Sequence, residues 1–322
     1  MNNIANYQNF ITKAIEDLSL PKQPKQLYEP IHYFLGLGGK KMRPVLTLMG
    51  CELFNSDYSI AKEAGLAVEL FHNFSLIHDD IMDEAPLRRG HKTVHEKWNS
   101  NVGILSGDAL LIIAYQKIAT YEPSLIGKLF PLFNQTALEV CEGQQLDMDF
   151  ENRNNVSIDE YIHMIKYKTA VLLGCSLQMG AIIGGSNDKN AKELYNFGVN
   201  LGLAFQLQDD ILDVYADQNK FGKQVGGDII ANKKTYLLLN AFEEANTAQT
   251  EQLNQLADEK NLKLKVEGVK SIYADLNIKA KAELKMNDFY EIALANLKSI
   301  SISSTKKQPL LDLAHFLMSR EE

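Results

Sequence analysis

Cysteine is scarce in this chain. The 322 residues hold three, Cys51, Cys141 and Cys175, with no Cys-x-x-Cys spacing, which argues against a disulfide framework and a thiolate zinc site and fits a reducing cytoplasm. Proline is absent from 132 to 308. So long a run without the strongest helix breaker, with apolar residues three and four apart, reads as successive long helices. No convincing strand pattern occurs. A basic excess is missing too: 33 Lys and Arg against 41 Asp and Glu leave a net charge of −8, and the pI is near 5.5. That argues against the broad basic faces that grip nucleic acid or anionic membranes. No stretch of eighteen apolar residues is present, so no membrane span is expected. The first eighteen residues carry Glu16 and Asp17 and no basic segment leading into an apolar block, so no secretion signal is expected.

What is present is an apolar content of 45%, ample for a sizeable core. Helices are expected near 5–18, 27–36, 44–54, 58–83, 101–120, 124–149, 157–184, 188–215, 233–245, 247–259, 262–277, 279–299 and 307–320. Pro123 sits where a helix opens, Ser157 and Asn187 are candidate N-caps, and Gly36 to Gly39 interrupts the chain where a helix should stop. No linker or composition shift divides the chain, so the fold class expected is all-α, one large helical bundle over residues 1–322.

One acidic pattern is written twice, as Asp79-Asp80-Ile81-Met82-Asp83 and, 130 residues later, as Asp209-Asp210-Ile211-Leu212-Asp213. On a helix, residues four apart share a face, so each copy aims two carboxylates one way. Like charges at that spacing repel by a few tenths of a kcal/mol (roughly) unless a cation sits between them. Hard oxygen ligands in small number suit Mg²⁺, which completes its shell with water and substrate phosphates. Each copy also ends an apolar helix, where the macrodipole disfavours acids. Each is followed by a basic loop: Arg88-Arg89-Gly90 after the first, Lys223 in a glycine-bearing stretch after the second. One copy alone reads as a solvated helix end. Two copies with the same polarity point to diphosphate held through metal.

With these residues the sequence resembles the trans-prenyltransferases, the isoprenyl diphosphate synthases that join isopentenyl diphosphate to an allylic diphosphate, over about residues 30 to 240. The resemblance implies an isoprenoid-synthase bundle around a central apolar cavity, with three Mg²⁺ per substrate-loaded site. It makes Asp79, Asp83 and Asp209 direct metal ligands and Asp80, Asp210 and Asp213 their close support. Arg88, Lys168, Lys223 and Lys233 match contacts to the allylic diphosphate, and Thr169 and Gln206, with Lys168, match groups near the reacting carbons. The stretch GLGGKKMRP resembles the isopentenyl diphosphate segment, with Lys40 and Arg43 as phosphate contacts and His72 and Arg89 completing that second site. Gly38-Gly39 would let backbone amides approach an anion, and Lys and Arg supply charge without metal. Gly107-Asp108 and Gly143-Gln144 with Asp147 resemble cavity-lining positions but read as structural. The remaining histidines, His78 among them, read as surface or satisfied side chains. Two departures from the family pattern, Lys41 and Asn232, leave the local charge unchanged.

Chain length in such enzymes is set beneath the first acidic motif. Phe74 and Ser75 lie five and four residues before Asp79, roughly 6–8 Å along the helix. One aromatic there, with a small neighbour, resembles the C20-forming class, which implies geranylgeranyl diphosphate; farnesyl diphosphate or a longer polyprenyl diphosphate are the alternatives. A terpene cyclase would carry an Asn/Ser/Glu second motif, and a non-catalytic subunit would have lost its acids. The family further implies a homodimer, for which helix 101–120 could supply the contact.

Overall fold

A computed structural model describes residues 2–216 and 226–319. In chain order its helices are α1 (Asn2–Glu16), α2 (Lys25–Gly36), α3 (Met42–Glu52), α4 (Lys62–Met82), the short α5 (Val94–Lys97), α6 (Ser100–Ile118), α7 (Pro123–Glu151) and α8 (Ile158–Ile165). They continue with α9 (Val171–Ile183), α10 (Asp188–Tyr215), the short α11 (Gly227–Ile230), α12 (Tyr236–Glu244), α13 (Thr247–Ala257), α14 (Leu262–Asp275), α15 (Ile278–Ser299) and α16 (Ser304–Met318). The fold is all-α, as the proline distribution and apolar spacing imply.

The helix ends follow local chemistry. Ser157 and Glu160 form a capping box at the start of α8, and the Asn187 side chain accepts from the Asn190 N–H at 2.8 Å to open α10. Pro123 is the first residue of α7, and α2 stops at Gly36. Two expected helices are interrupted. A 3₁₀ turn, Tyr58–Ala61, precedes α4, capped by Asp57. A π turn, Lys166–Ala170, separates α8 from α9, inserting wider backbone where unbroken helix is expected over 157–184.

The loop after the first acidic motif adds one small element that the sequence does not show. A two-residue antiparallel ladder, β1 (Leu87–Arg88) with β2 (His91–Lys92), follows α4. Its turn residues Arg89 and Gly90 both have positive φ, 53° and 77°, as a primed hairpin turn requires.

The chain clusters into two compact units. Unit 1 comprises Met1–Ala137, Cys175–Tyr195 and Ser301–Pro309. Its core includes Leu66, Leu70, Phe71 and Ile77 on α4, with Val45, Leu46 and Leu48 on α3. Unit 2 comprises Leu138–Gly174, Asn196–Ile300 and Leu310–Glu322. There the buried positions Leu203, Leu207, Ile211 and Val214 recur at three- and four-residue spacing along α10, the pattern of a helix seated in a core. No helix among the described residues is long and apolar enough to cross a membrane.

Candidate active site

In unit 1 the first acidic motif closes α4. Asp79 and Asp80 lie in its last turn, and the Asp83 N–H donates to the Asp79 carbonyl at 2.8 Å, so helical spacing persists through the motif. The three carboxylates have different environments. Asp83 is exposed and Asp79 half-buried, whereas Asp80 is 1% exposed. Arg88, delivered by β1, donates from Nε and Nη2 to Asp80 Oδ1, both at 2.7 Å. The other oxygen, Oδ2, is buried without a hydrogen-bond partner. Burial pushes the Asp80 pKa up and Arg88 pulls it back, leaving it raised. Asp79 and Asp83 thus offer hard oxygen atoms one turn apart, with Asp80 turned inward.

The hairpin turn also sets Arg89 beside the loop before α3. Its guanidinium donates to the Gly38 carbonyl, and a Cβ on Gly39 would stand 2.8 Å from Arg89 Cζ. Gly39 also has φ of 123°, a backbone conformation that favours glycine. Arg43 Nη1 donates to His72 Nε2 at 2.9 Å. A guanidinium can only donate, so Nε2 must accept and His72 is the neutral Nδ1–H tautomer. Burial first, then the cations Arg43, Arg89, Arg88 and Lys41, hold its pKa well below the ordinary 6.5. Burial likewise brings Arg43 down to about 10, against the opposing pull of Glu69.

Arg43, His72 and Arg89 therefore occupy one neighbourhood, and the exposed Lys40 follows directly on Gly39, which lies against Arg89. Sequence reasoning missed its counter-charge. Glu69, 2% exposed, lies 3.8 Å from Lys41 Nζ and accepts from Asn73 Nδ2 at 3.2 Å. Its Oε2 is buried without a partner, as is Arg43 Nε. An acid inside the apolar run LAVELF was the available signal.

Farther back on α4, the Phe74 ring packs against His78 at 4.7 Å and Phe71 at 5.6 Å between centroids; Phe71 meets Phe133 at 5.4 Å. The Ser75 hydroxyl donates to the His72 carbonyl at 3.0 Å. His78 contacts the Ile104 carbonyl at 3.1 Å, and a Cβ on Gly107 would collide with its imidazole, so both are structural here.

In unit 2 the second motif closes α10. Asp210, 5% exposed, accepts from the Tyr161 hydroxyl at 2.5 Å and from the Tyr236 N–H at 3.4 Å. Burial pushes its pKa up to about 7, with Asp228 adding to the rise and Tyr161 and Lys233 opposing it. Asp213 Oδ2 accepts from the Asp228 N–H at 2.9 Å. The Asp228 carboxyl is itself raised to about 6, by burial and by Asp213, Asp147 and Asp209. Asp228 and Tyr161 were not foreseen; an acid in Gly226-Gly227-Asp228, directly after the motif's loop, was the visible hint.

Lys168 and Thr169 lie in the π turn. Lys168 Nζ pairs with Asp147 Oδ2 at 2.5 Å. A Cβ on Gly143 would collide with the Lys168 backbone nitrogen, so glycine is what lets α7 lie against the turn. Gln206 and Asp209 are half-buried on α10. Lys233 is exposed, and its N–H donates to the Asp228 carbonyl at 2.9 Å. Lys223 lies outside the described residues.

Among the described residues no group of three or more His, Cys, Asp or Glu side chains is arranged to hold a metal ion. The donors of each unit still fit Mg²⁺: all oxygen, with an unpartnered buried oxygen on Asp80 in unit 1 and mutually repelling acids around Asp228 in unit 2. A magnesium ion commonly takes only one or two carboxylates and fills its shell from water and phosphate.

Comparison with known proteins is consistent with these features. The polyprenyl synthetase family pattern matches residues 24–276. A geranylgeranyl pyrophosphate synthase of Geoglobus acetivorans is 35% identical over 313 residues, 97% of this chain and 96% of that protein. A geranylfarnesyl diphosphate synthase of Natronomonas pharaonis is 36% identical over 261 residues, 75% of this chain and 76% of that one. A crystal structure of a geranylgeranyl pyrophosphate synthase superposes with a TM-score of 0.94 at 45% identity, covering 100% of both chains. The chain therefore belongs to the polyprenyl synthetase family and is a trans-prenyltransferase, of a kind that works on isoprenyl diphosphates and generally depends on Mg²⁺.

Proposed function

We propose that residues 1–322 act as one domain that joins isopentenyl diphosphate to an allylic diphosphate, with geranylgeranyl diphosphate (C20) as the main product. The observation that carries this is the basic site of Lys40, Arg43, neutral His72 and Arg89, a diphosphate cradle built without carboxylate ligands and distinct in chemistry from the two acid-tipped helices. A cyclase has no use for a second diphosphate site.

Asp79, Asp83 and Asp209 would ligate Mg²⁺, three ions to a loaded site, with Asp80, Asp210 and Asp213 in support. When bound, the metal supplies charge that neutralises the leaving diphosphate. Arg88, Lys168, Lys223 and Lys233 add fixed positive charge to the same group, which stabilises an anion that develops as the allylic C–O bond breaks. Lys40, Arg43 and Arg89 hold isopentenyl diphosphate so that its double bond meets the allylic cation. His72 Nε2 accepts from Arg43, leaving its Nδ1–H as a donor. Thr169 and Gln206 orient the reacting carbons. The proton lost after condensation passes to the released diphosphate, since none of these residues is a free general base.

Phe74 and Ser75 would set the C20 length; relatives named for C20 and C25 products are about equally similar, so overall identity does not decide it. A homodimer is supported by the apolar stripe of Leu105 and Ile112, one heptad apart on α6 and 60% and 58% exposed. Three scattered cysteines without Cys-x-x-Cys spacing suit a cytoplasmic setting.

The test incubates purified protein and Mg²⁺ with labelled isopentenyl diphosphate and each of the C5, C10 and C15 primers, then separates the dephosphorylated products. A C20 alcohol is expected from all three. Cyclised hydrocarbon, or no incorporation with any primer, would refute the assignment.

A further inference from the structure

In unit 2 the stretch between the second acidic motif and α12 is tied to that motif through its backbone. Gly226 N–H donates to the Asp213 carbonyl at 2.6 Å, Asp228 N–H to Asp213 Oδ2 at 2.9 Å, and Tyr236 N–H to Asp210 Oδ2 at 3.4 Å. The same stretch lines a cavity of about 520 Å³. The remaining wall comes largely from α13 and α14, which carry none of the residues assigned above to substrate or metal. That volume lies inside the range, about 300–1,000 Å³, of small-molecule sites.

The wall is amphipathic. Val214, Leu238, Leu253 and Val269 give an apolar surface, while Lys233, Lys234 and Lys265 bring three cations against one lining carboxylate, Asp228. Lys265 is the telling member. It is 4% exposed, and its Nζ donates to the Ile230 carbonyl at 3.1 Å and the Ala257 carbonyl at 3.0 Å. Among the described residues it forms no ion pair. An ammonium has three N–H donors, so two carbonyls leave one unused, and the acid that acts on this cation, Asp258, does not reach it as an ion pair. That third N–H is one from which an anion in the cavity can accept.

We propose that this cavity binds a small amphiphilic anion, an organic phosphate with a short apolar tail. Its head group pairs with Lys265, Lys233 and Lys234, and its tail lies on Leu238, Leu253 and Val269. Because the lining stretch also hydrogen-bonds Asp210 and Asp213, an occupant rests against the backbone that holds the second motif. Apart from Lys233, the site uses none of the residues assigned above to the reaction. A protein that binds the probe but makes no prenyl diphosphate would refute that reaction and leave this site standing.

The experiment is isothermal titration of the full chain with geranyl monophosphate in EDTA, which withholds metal from the acidic motifs. Lys233 is left unaltered because it is shared with the substrate assignment. One site per chain is expected, weakened at least about tenfold in Lys265→Met and in Asn254→Trp. Asn254 is exposed at the cavity wall, so the second variant keeps the test alive if the first fails to fold. Arg43→Ala should leave binding unchanged, and inorganic phosphate and geraniol should each bind at least about tenfold more weakly than the probe. Absence of binding, binding unmoved by both cavity variants, loss of binding in Arg43→Ala, or phosphate alone binding as tightly would each overturn the proposal.

Discussion

Arg88 and Asp80 show how one pair can serve both fold and site. The carboxylate is buried, the guanidinium reaches it with two donors, and the arginine comes from a hairpin of two-residue strands. Removing the arginine strands a buried charge beside an oxygen that already lacks a partner. Arg88→Ala should therefore cost about 2–5 kcal/mol of stability, read as a lowered melting temperature, and Asp80→Asn in the same chain should recover part of it. Equal melting of Arg88→Ala and wild type would show that the pair holds nothing in place. His72 gives a pH signature with a definite sign. Unfolded, it takes up a proton near 6.5; folded, it resists until well below that. Across that interval the unfolded state binds more protons, so stability rises with pH. The contribution is complete above 6.5 and is lost progressively as pH falls. His72→Gln should flatten the dependence of melting temperature on pH between about 5 and 7; an unchanged slope would contradict the neutral assignment.

At the scale of elements, the two acid-tipped helices are legible because their apolar run and acidic end sit in the same dozen residues. Range 188–215 is read correctly from sequence because Asn187 caps it and apolar spacing carries it throughout. The π turn is not legible, since Lys166–Ala170 has ordinary helical composition and only the close seat on Gly143 reveals a wider backbone. The hairpin 87–92 is too short to show alternation. Its signal is the Arg89-Gly90 pair, which reads equally as a basic loop. On α4 the ladder His78, Phe74, Phe71 places aromatic bulk one to two turns behind Asp79. Phe74→Ala should remove the first rung and shift products beyond C20, by chromatography of the dephosphorylated alcohols. Products no longer than those of wild type would move the length-setting position elsewhere.

Across the whole molecule, charge is sorted by chemistry. A net charge of −8 hides a basic neighbourhood in unit 1, where Lys41, Arg43 and Arg89 all face the buried acid Glu69. It also hides an acidic one in unit 2, where Asp147, Asp209 and Asp213 all push Asp228 upward. The repeated acidic motif and the GGKKMRP stretch make most of the candidate site visible in sequence. Glu69, Tyr161 and Asp228 escaped because each acts on another side chain or backbone group, and a partner distant in sequence leaves no local pattern. Nothing in composition announced the cavity beside Lys265 either, since its wall is drawn from stretches between 154 and 273.

The central claim is that both acidic motifs hold one allylic diphosphate through Mg²⁺. Its most direct measurement is calorimetric titration of the full chain with a non-reactive allylic thiodiphosphate, with and without Mg²⁺, for wild type, Asp79→Asn/Asp83→Asn and Asp209→Asn/Asp213→Asn. Binding that needs Mg²⁺ in the wild type and falls at least about tenfold in each double variant is the predicted result. Binding indifferent to Mg²⁺, or retained in full by either variant, would contradict it.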